Sequence, residues 1–321
     1  MRRVPALIAT AGLVLATLTA CSPGSAAADC TAPVSAGDAS KLVEVTGKFG
    51  SAPEVDFPTP LKTDTTQRSE IIAGEGPGLV EGQKTQVDMS IFNATTGESI
   101  QKAAYDGKSL SSFVLNDQTL AGITDGLLCA QVGSRVAVVA SPDDTFGPAG
   151  GNADLKVAED DSLVFVFDVV KAYLTRADGA DQLPVAGLPA VVLAEDGTPG
   201  ITIPPSTDPP TDLEVGVLKK GDGEKVTAGS TVTVNYTGVL WDSKEVFDSS
   251  WANGAPVAFP IPDGSTEGGL IPGFAEALTG QTVGSQIVAV IPPDQAYGDQ
   301  ANGAIPANST LVFVVDILGV D

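Results

Sequence analysis

Three polar side chains stand inside apolar blocks in the C-terminal third of the chain. They are Tyr236 in Val234-Asn235-Tyr236-Thr237-Gly238, Asp248 in Phe247-Asp248-Ser249-Ser250, and Tyr297 in Ala296-Tyr297-Gly298. A hydroxyl or carboxylate among apolar neighbours needs a partner, so these three are the first candidates for binding groups. Each phenylalanine, leucine or isoleucine near them reads, taken alone, as an ordinary core residue. Nucleophilic and His-zinc chemistry are excluded on simpler grounds. The 321 residues contain no histidine, so neither a Ser-His-Asp nor a Cys-His arrangement, nor a His-ligated zinc, can be built.

The charge balance removes further classes. Seventeen Lys and Arg stand against 40 Asp and Glu, a net charge of −23. Nucleic-acid binding needs a basic face, so no nucleic-acid partner is expected. The carboxylates lack the spacing of a metal loop, and no glycine-rich phosphate loop occurs, so no metal or other cofactor is expected. With 43% hydrophobic residues the chain can bury a core. Its length suits about two domains at roughly 100–200 residues each. The 36 glycines and 23 prolines favour turns and short strands over long helices.

The N-terminus has the form of an export signal. Arg2 and Arg3 precede an uncharged apolar stretch over 4–20, and Leu18-Thr19-Ala20-Cys21 follows the pattern of a bacterial lipobox. Residues 1–20 read as a lipoprotein signal peptide, with Cys21 the lipid-attachment site and residues 21–41 a flexible tether of small polar residues. An uncleaved signal anchor is the competing reading, although the apolar stretch is short for a membrane span. The expected location is the outer face of the bacterial cell membrane, held by lipid on Cys21. Cleavage removes two basic residues and no acid, which takes −23 to −25. Cys30 and Cys129 then remain as an even pair in an oxidising compartment; a disulfide and two free thiols are both open.

The body of the chain is a two-fold repeat. Residues 132–147 (VGSRVAVVASPDDTFG) and 283–298 (VGSQIVAVIPPDQAYG) agree at seven positions. Residues 162–170 (SLVFVFDVV) match 310–318 (TLVFVVDIL), and the lead-in from Ala52 corresponds to that from Thr198. This divides the chain into a first domain at 42–175, a linker at 176–197 whose apolar residues could pair with one of the domains, and a second domain at 198–321. Residues 230–240, 284–292 and 310–319 read as strands, and 272–279, with Pro272 at its start and Gly280 as a stop, as a short helix. The expected fold is α+β, two tandem copies of a half-wrapped antiparallel sheet around a short helix.

Residues 213–321 resemble an FKBP-type peptidyl-prolyl cis-trans isomerase along their length. The resemblance rests on six ordered blocks: Gly221-Asp222-Gly223, Val234 to Gly238, Phe247 to Ser250, Leu270-Ile271-Pro272-Gly273-Phe274, Pro293-Asp294 with Ala296-Tyr297-Gly298, and Ile305-Pro306 leading to Leu311-Val312-Phe313. It implies rotation about X-Pro bonds, chemistry that needs no nucleophile or metal. An apolar, water-excluded pocket favours the twisted amide, whose dipole is reduced, over the planar one. The resemblance places Tyr236, Phe247, Asp248, Ile271, Phe274, Tyr297 and Phe313 in the catalytic pocket, with Val257, Leu270 and Ile305 binding substrate. Phe274 would lie beneath the proline ring. The Ile271 N–H and the Tyr297 hydroxyl would bond substrate carbonyls, and Asp248 would sit near the twisting one.

Asn253 stands where the family often has a basic residue paired with the aspartate, Val257 where an aromatic is common, and residues 262–269 lengthen that loop. The implied partners are Pro-containing exported polypeptides and rapamycin-like macrolides. The competing function is a non-catalytic FKBP-like chaperone or peptide-binding lipoprotein. In the first copy the repeat sets Met89, Ile100, Gln101, Ile123 and Phe146 opposite Tyr236, Phe247, Asp248, Phe274 and Tyr297. Those polar tips are missing, so the first domain is expected to be a degenerate FKBP-like domain with weak or no isomerase activity.

Overall fold

The computed structural model describes residues 30–205, 207–263 and 269–321. The export signal with Cys21, and residues 264–268 of the lengthened loop, lie outside the described residues.

The first domain begins with a hairpin of β1 (Glu44–Thr46) and β2 (Glu54–Asp56). There follow β3 (Gln67–Ile72), β4 (Lys84–Asn93), β5 (Ser99–Gln101), β6 (Ser111–Val114), α1 (Ala121–Leu127), β7 (Arg135–Ala140) and β8 (Leu163–Ala172). The sheet order is β3-β7-β8-β4-β5, with β6 also on β4, and every pairing is antiparallel. Between the domains lie β9 (Ala180–Asp181), β10 (Ala190–Leu193) and β11 (Pro199–Thr202). The second domain contains β12 (Glu214–Lys220), β13 (Thr231–Leu240), β14 (Val246–Ser249), β15 (Val257–Pro260), α2 (Pro272–Leu278), β16 (Gln286–Ile291) and β17 (Leu311–Val320). Its order is β14-β13-β17-β16-β12, with β15 on β13 and β9 added at the β12 edge. This is the first sheet's order repeated, so both copies have the same α+β fold.

The central strands owe their character to burial on both faces. In β17 and β16 every residue is buried, which explains their unbroken Val, Ile and Leu runs. One face packs on α2: Phe274, Leu278, Ile287, Ala289, Ile291, Phe313 and Val315 share a core. Gly273 sits where a Cβ would lie 2.4 Å from Ile291 Cγ2, so the helix can approach β16 this closely only without a side chain there.

The opposite face is also covered, and the apolar residues of the linker pair with the second domain. Leu188, Ile203, Val288, Val290, Val312, Val314 and Trp241 form a second core beneath the β10-β11 hairpin. The boundary placed at residues 197 and 198 therefore falls in the turn of a hairpin that belongs to the second domain. The β1-β2 hairpin covers the first sheet in the same way, with Val43, Val45, Val55 and Phe57 against Val139 and Val164. The hairpins correspond as the sheets do, so the repeated unit includes them.

The segment read as a flexible tether is partly ordered. Cys30 is bonded to Cys129, with Cα atoms 5.7 Å apart. The Arg68 N–H donates to the Ser35 carbonyl at 3.1 Å. The Ala39 N–H donates to Gln67 Oε1 at 2.9 Å, and Ser40 is fully buried. Residues 30–41 thus pack on the first domain.

The two domains are joined at their strand ends. Leu174 N–H donates to the Leu318 carbonyl at 3.0 Å, and Lys84 Nζ to Thr233 Oγ1 at 3.0 Å. Lys171 pairs with Asp321 at 2.6 Å. The Tyr173 ring, 1% exposed, fills the junction and its hydroxyl donates to Asp321.

Candidate active site

A cleft of about 140 Å³ opens between the concave face of the second sheet and the start of α2. It is lined by Tyr236, Phe247, Asp248, Phe259, Gly269, Leu270, Ile271, Phe274, Tyr297 and Phe313. Phe274, projecting from α2, forms its floor and is 3% exposed. Its ring centroid lies 4.7 Å from Phe313, 5.6 Å from Phe259 and 6.2 Å from Tyr236. Phe247 meets Phe313 edge to face at 5.5 Å. These offset and edge-on contacts suit the ring quadrupoles.

Alternation along the strands aims these side chains. On β13, Val234 and Tyr236 face α2, while Asn235 and Thr237 face the other side. Gly238 leaves room for the Phe247 ring: a Cβ there would lie 2.4 Å from its Cζ. The Phe247-Asp248-Ser249-Ser250 block folds back on β13 through strand pairing and serine hydrogen bonds. Ser250 Oγ accepts from the Tyr236 N–H at 2.8 Å, Ser250 N–H donates to the Tyr236 carbonyl at 3.0 Å, and Ser249 Oγ meets Thr237 Oγ1 at 2.9 Å. Asp248, which faces solvent, is thereby brought over the cleft, where it accepts a hydrogen bond from the Tyr236 hydroxyl. Burial pushes the Tyr236 hydroxyl pKa well above its usual value, and the Asp248 carboxylate adds to that shift. Tyr236 is therefore a fixed neutral donor at neutral pH. Asn253 Nδ2 reaches Asp248 Oδ1 at 3.5 Å, the outer limit of such a bond.

Eight of the ten residues named from the sequence line this cleft, and two do not. Ile305 is buried in the core that also holds Phe274 and Phe313. Val257 packs at the core's margin on β15, and Phe259, two residues on along the same face, lines the cleft in its place. Phe259 is a lining residue that the family resemblance does not name. The period of two along β15 would have found it, since residues 257 and 259 point the same way. A larger hollow on the first domain is lined by Asp64, Asp143, Glu159 and Asp160 with Pro142 and Pro148, and carries no aromatic wall. Among the described residues no group of three or more His, Cys, Asp or Glu could hold a metal ion.

The first domain repeats the strand order of this arrangement without its chemistry. Met89, Ile123, Val157 and Phe165 are buried together, with Ile100, Phe113, Leu120 and Phe146 against them. Gln101, opposite Asp248, carries no charge. The polar tips that would orient a bound amide are thus missing from this domain.

Residues 222–318 match the family described as FKBP-type peptidyl-prolyl cis-trans isomerase. The FK506-binding protein of Streptomyces anulatus is 37% identical over 118 residues, which cover 36% of this chain and 92% of that protein. The FKBP-type peptidyl-prolyl cis-trans isomerase FkpA of Escherichia coli is 44% identical over 110 residues, covering 34% of this chain and 38% of FkpA. The solved structure of the three FKBP domains of wheat FKBP73 aligns over 80% of this chain and 94% of that one, at 19% identity and a TM-score of 0.36. The match to nearly the whole Streptomyces protein makes this chain a member of the FKBP-type peptidyl-prolyl cis-trans isomerase family.

Proposed function

We propose that the second domain catalyses X-Pro cis-trans isomerisation in the cleft over Phe274, acting on exported polypeptides while the chain is held to the outer face of the cell membrane by lipid on Cys21. The observation that carries the catalytic part is the Tyr236–Asp248 hydrogen bond at the mouth of an aromatic cleft. A planar X-Pro amide is protected by a barrier of about 18–20 kcal/mol from its partial double bond. Twisting the amide removes that resonance and shrinks the dipole, so transfer from water to an aromatic cleft favours the twisted form. Phe274, Phe313 and Phe259 supply the apolar surface. The Ile271 N–H and Tyr297 hydroxyl hold the substrate's other carbonyls, and Asp248, kept in place by Tyr236, faces the carbonyl that turns. The chemistry is selective binding of one conformer, so no covalent intermediate forms.

A protease-coupled assay on an X-Pro peptide with the full chain tests this. Acceleration is expected, and Tyr236→Phe and Asp248→Val each reduce it by tenfold or so, about 1.4 kcal/mol of barrier. Folded protein that gives no acceleration would sink the catalytic reading and leave a peptide-binding protein. Because one relative is an FK506-binding protein, a macrolide of that class is expected to compete for the cleft. Location is tested separately: cells fed an alkyne fatty acid label the protein, and Cys21→Ala abolishes the label. An equally labelled Cys21→Ala chain removes the lipid anchor from the proposal.

A further inference from the structure

We infer that the first domain braces the active-site loop of the second, through the side chain of Asn116. This rests on the reading of the cleft as an isomerase site.

Residues 250–256 join β14, which carries Asp248, to β15, which carries Phe259. The inner end of this loop is tied down by Ser250 to both backbone groups of Tyr236. Its tip is held less firmly. Asn253, which points at Asp248, hangs on a 3.2 Å bond from its N–H to the Ser249 carbonyl, and Gly254 N–H reaches the Trp251 carbonyl at 3.3 Å. Gly254 has a φ of +73°, a conformation that only glycine adopts cheaply.

The tip is held from outside the domain. Asn116 Nδ2 of the first domain donates to the Gly254 carbonyl at 3.1 Å, across 138 residues of sequence. Asn116 is itself fixed. Its Oδ1 accepts from the Gln118 N–H at 3.1 Å, and its carbonyl accepts from Thr124 Oγ1 of α1 at 3.3 Å. Beside this bond the domains enclose a crevice of about 210 Å³, lined by Glu81 and Gly82 on one side and Trp251, Gly254, Ala255 and Pro256 on the other. The junction at Tyr173 fixes the domains at one place, and the Asn116 contact fixes them at a second. The second contact, an exposed hydrogen bond, limits rotation of the domains about the first and gives the loop tip a support outside its own domain. Asn116 touches no substrate; it is a positioning residue that acts through Gly254 and Asn253 on Asp248. Small displacements of such a group are costly to catalysis.

The test uses the full chain with two substitutions. Asn116→Asp keeps the acceptor for the Gln118 N–H and removes the donor to Gly254. Asn116→Ala removes both. Both are expected to lower kcat/KM by about two- to tenfold, the range for one neutral hydrogen bond. Acrylamide quenching of Trp251 is expected to rise in both, with unfolding midpoints close to wild type; Trp241, the other tryptophan, is 4% exposed and contributes little. Loss in Asn116→Ala alone would assign the effect to the Asn116 turn and overturn the proposal. So would wild-type kcat/KM and quenching in both variants, or lost activity without a change in quenching. If the wild type has no isomerase activity, the reading of the cleft fails, and the quenching result alone decides whether Asn116 holds the loop.

Discussion

Arg135 and Asp168 form an ion pair inside the first domain with both side chains fully buried, Nη2 donating to Oδ2 at 2.8 Å. Arg135 Nη2 also donates to the carbonyls of Lys48 and Ser51, and Gly50 N–H donates to Asp168 Oδ2 at 2.7 Å. The pair therefore anchors the loop of the β1-β2 hairpin to the sheet. In the second domain Gln286 and Asp316 occupy the equivalent sites at 2.6 Å, and Asp316 accepts from the Ala177 N–H at 2.8 Å. One device thus ties each main sheet to chain that precedes it in sequence, with a cation in one copy and an amide in the other.

Removing one partner of such a pair leaves a buried charge uncompensated. Asp168→Ala is expected to cost the first domain about 3–5 kcal/mol. Arg135→Gln, which reproduces the second domain's pairing, is expected to cost less. Urea unfolding of the two variants checks the order, and an equal or larger loss in Arg135→Gln would contradict this account.

Asp88 lies beside the same pair, on β4 opposite Asp168. Its Oδ1 is buried without a hydrogen-bond partner among the described residues. Burial, and then the charge of Asp168, raise its pKa above the ordinary carboxylate value. A folded-state pKa above the unfolded one means that folding favours the protonated form. Its ionisation therefore weakens the fold as pH rises from the unfolded pKa through the raised one. Asp88→Asn, matching Asn235 in the second copy, is expected to stabilise the first domain at pH 7. The gain should shrink as the pH falls through that window; thermal unfolding at pH 7 and at pH 4 measures it.

Phe259 and Val257 share a face of β15, yet only Phe259 reaches the cleft. Phe259→Ala is expected to lower kcat/KM by about tenfold, because it opens the wall to water beside Phe274. Val257→Ala is expected to change kcat/KM by less than about twofold, with a modest loss of stability of about 1 kcal/mol from lost apolar burial. Peptide assays of the pair decide; a reversed order would return Val257 to the substrate site.

Cys30 and Cys129 are separated by 99 residues. Closing a loop of that length stabilises a fold by about 4–5 kcal/mol in the chain-entropy account. Reduction, or Cys129→Ser, is expected to lower the first domain's unfolding transition by about 2–5 kcal/mol and to leave the second domain's transition in place. Differential scanning calorimetry with and without reductant resolves the two.

The sequence by itself determined the repeat, the fold class and most of the cleft. Contiguous blocks such as Val234 to Gly238 and Leu270 to Phe274 carry their own period and turn residues, and strand alternation then sends Tyr236 and Phe313 to one side of the sheet. Only the tertiary structure decided what covers the far face of each sheet, where the second domain begins, and which residue of β15 faces the cleft. The hairpin over Val288 and Val312 looked like a linker because its apolar residues gain meaning only against a sheet formed later in the chain. The same is true of Asn116 and Gly254: a hydrogen bond between residues 138 apart leaves no mark on composition, period or local motif. It exists because two domains, each legible alone, are held in one relative orientation by a junction that neither domain's own pattern specifies.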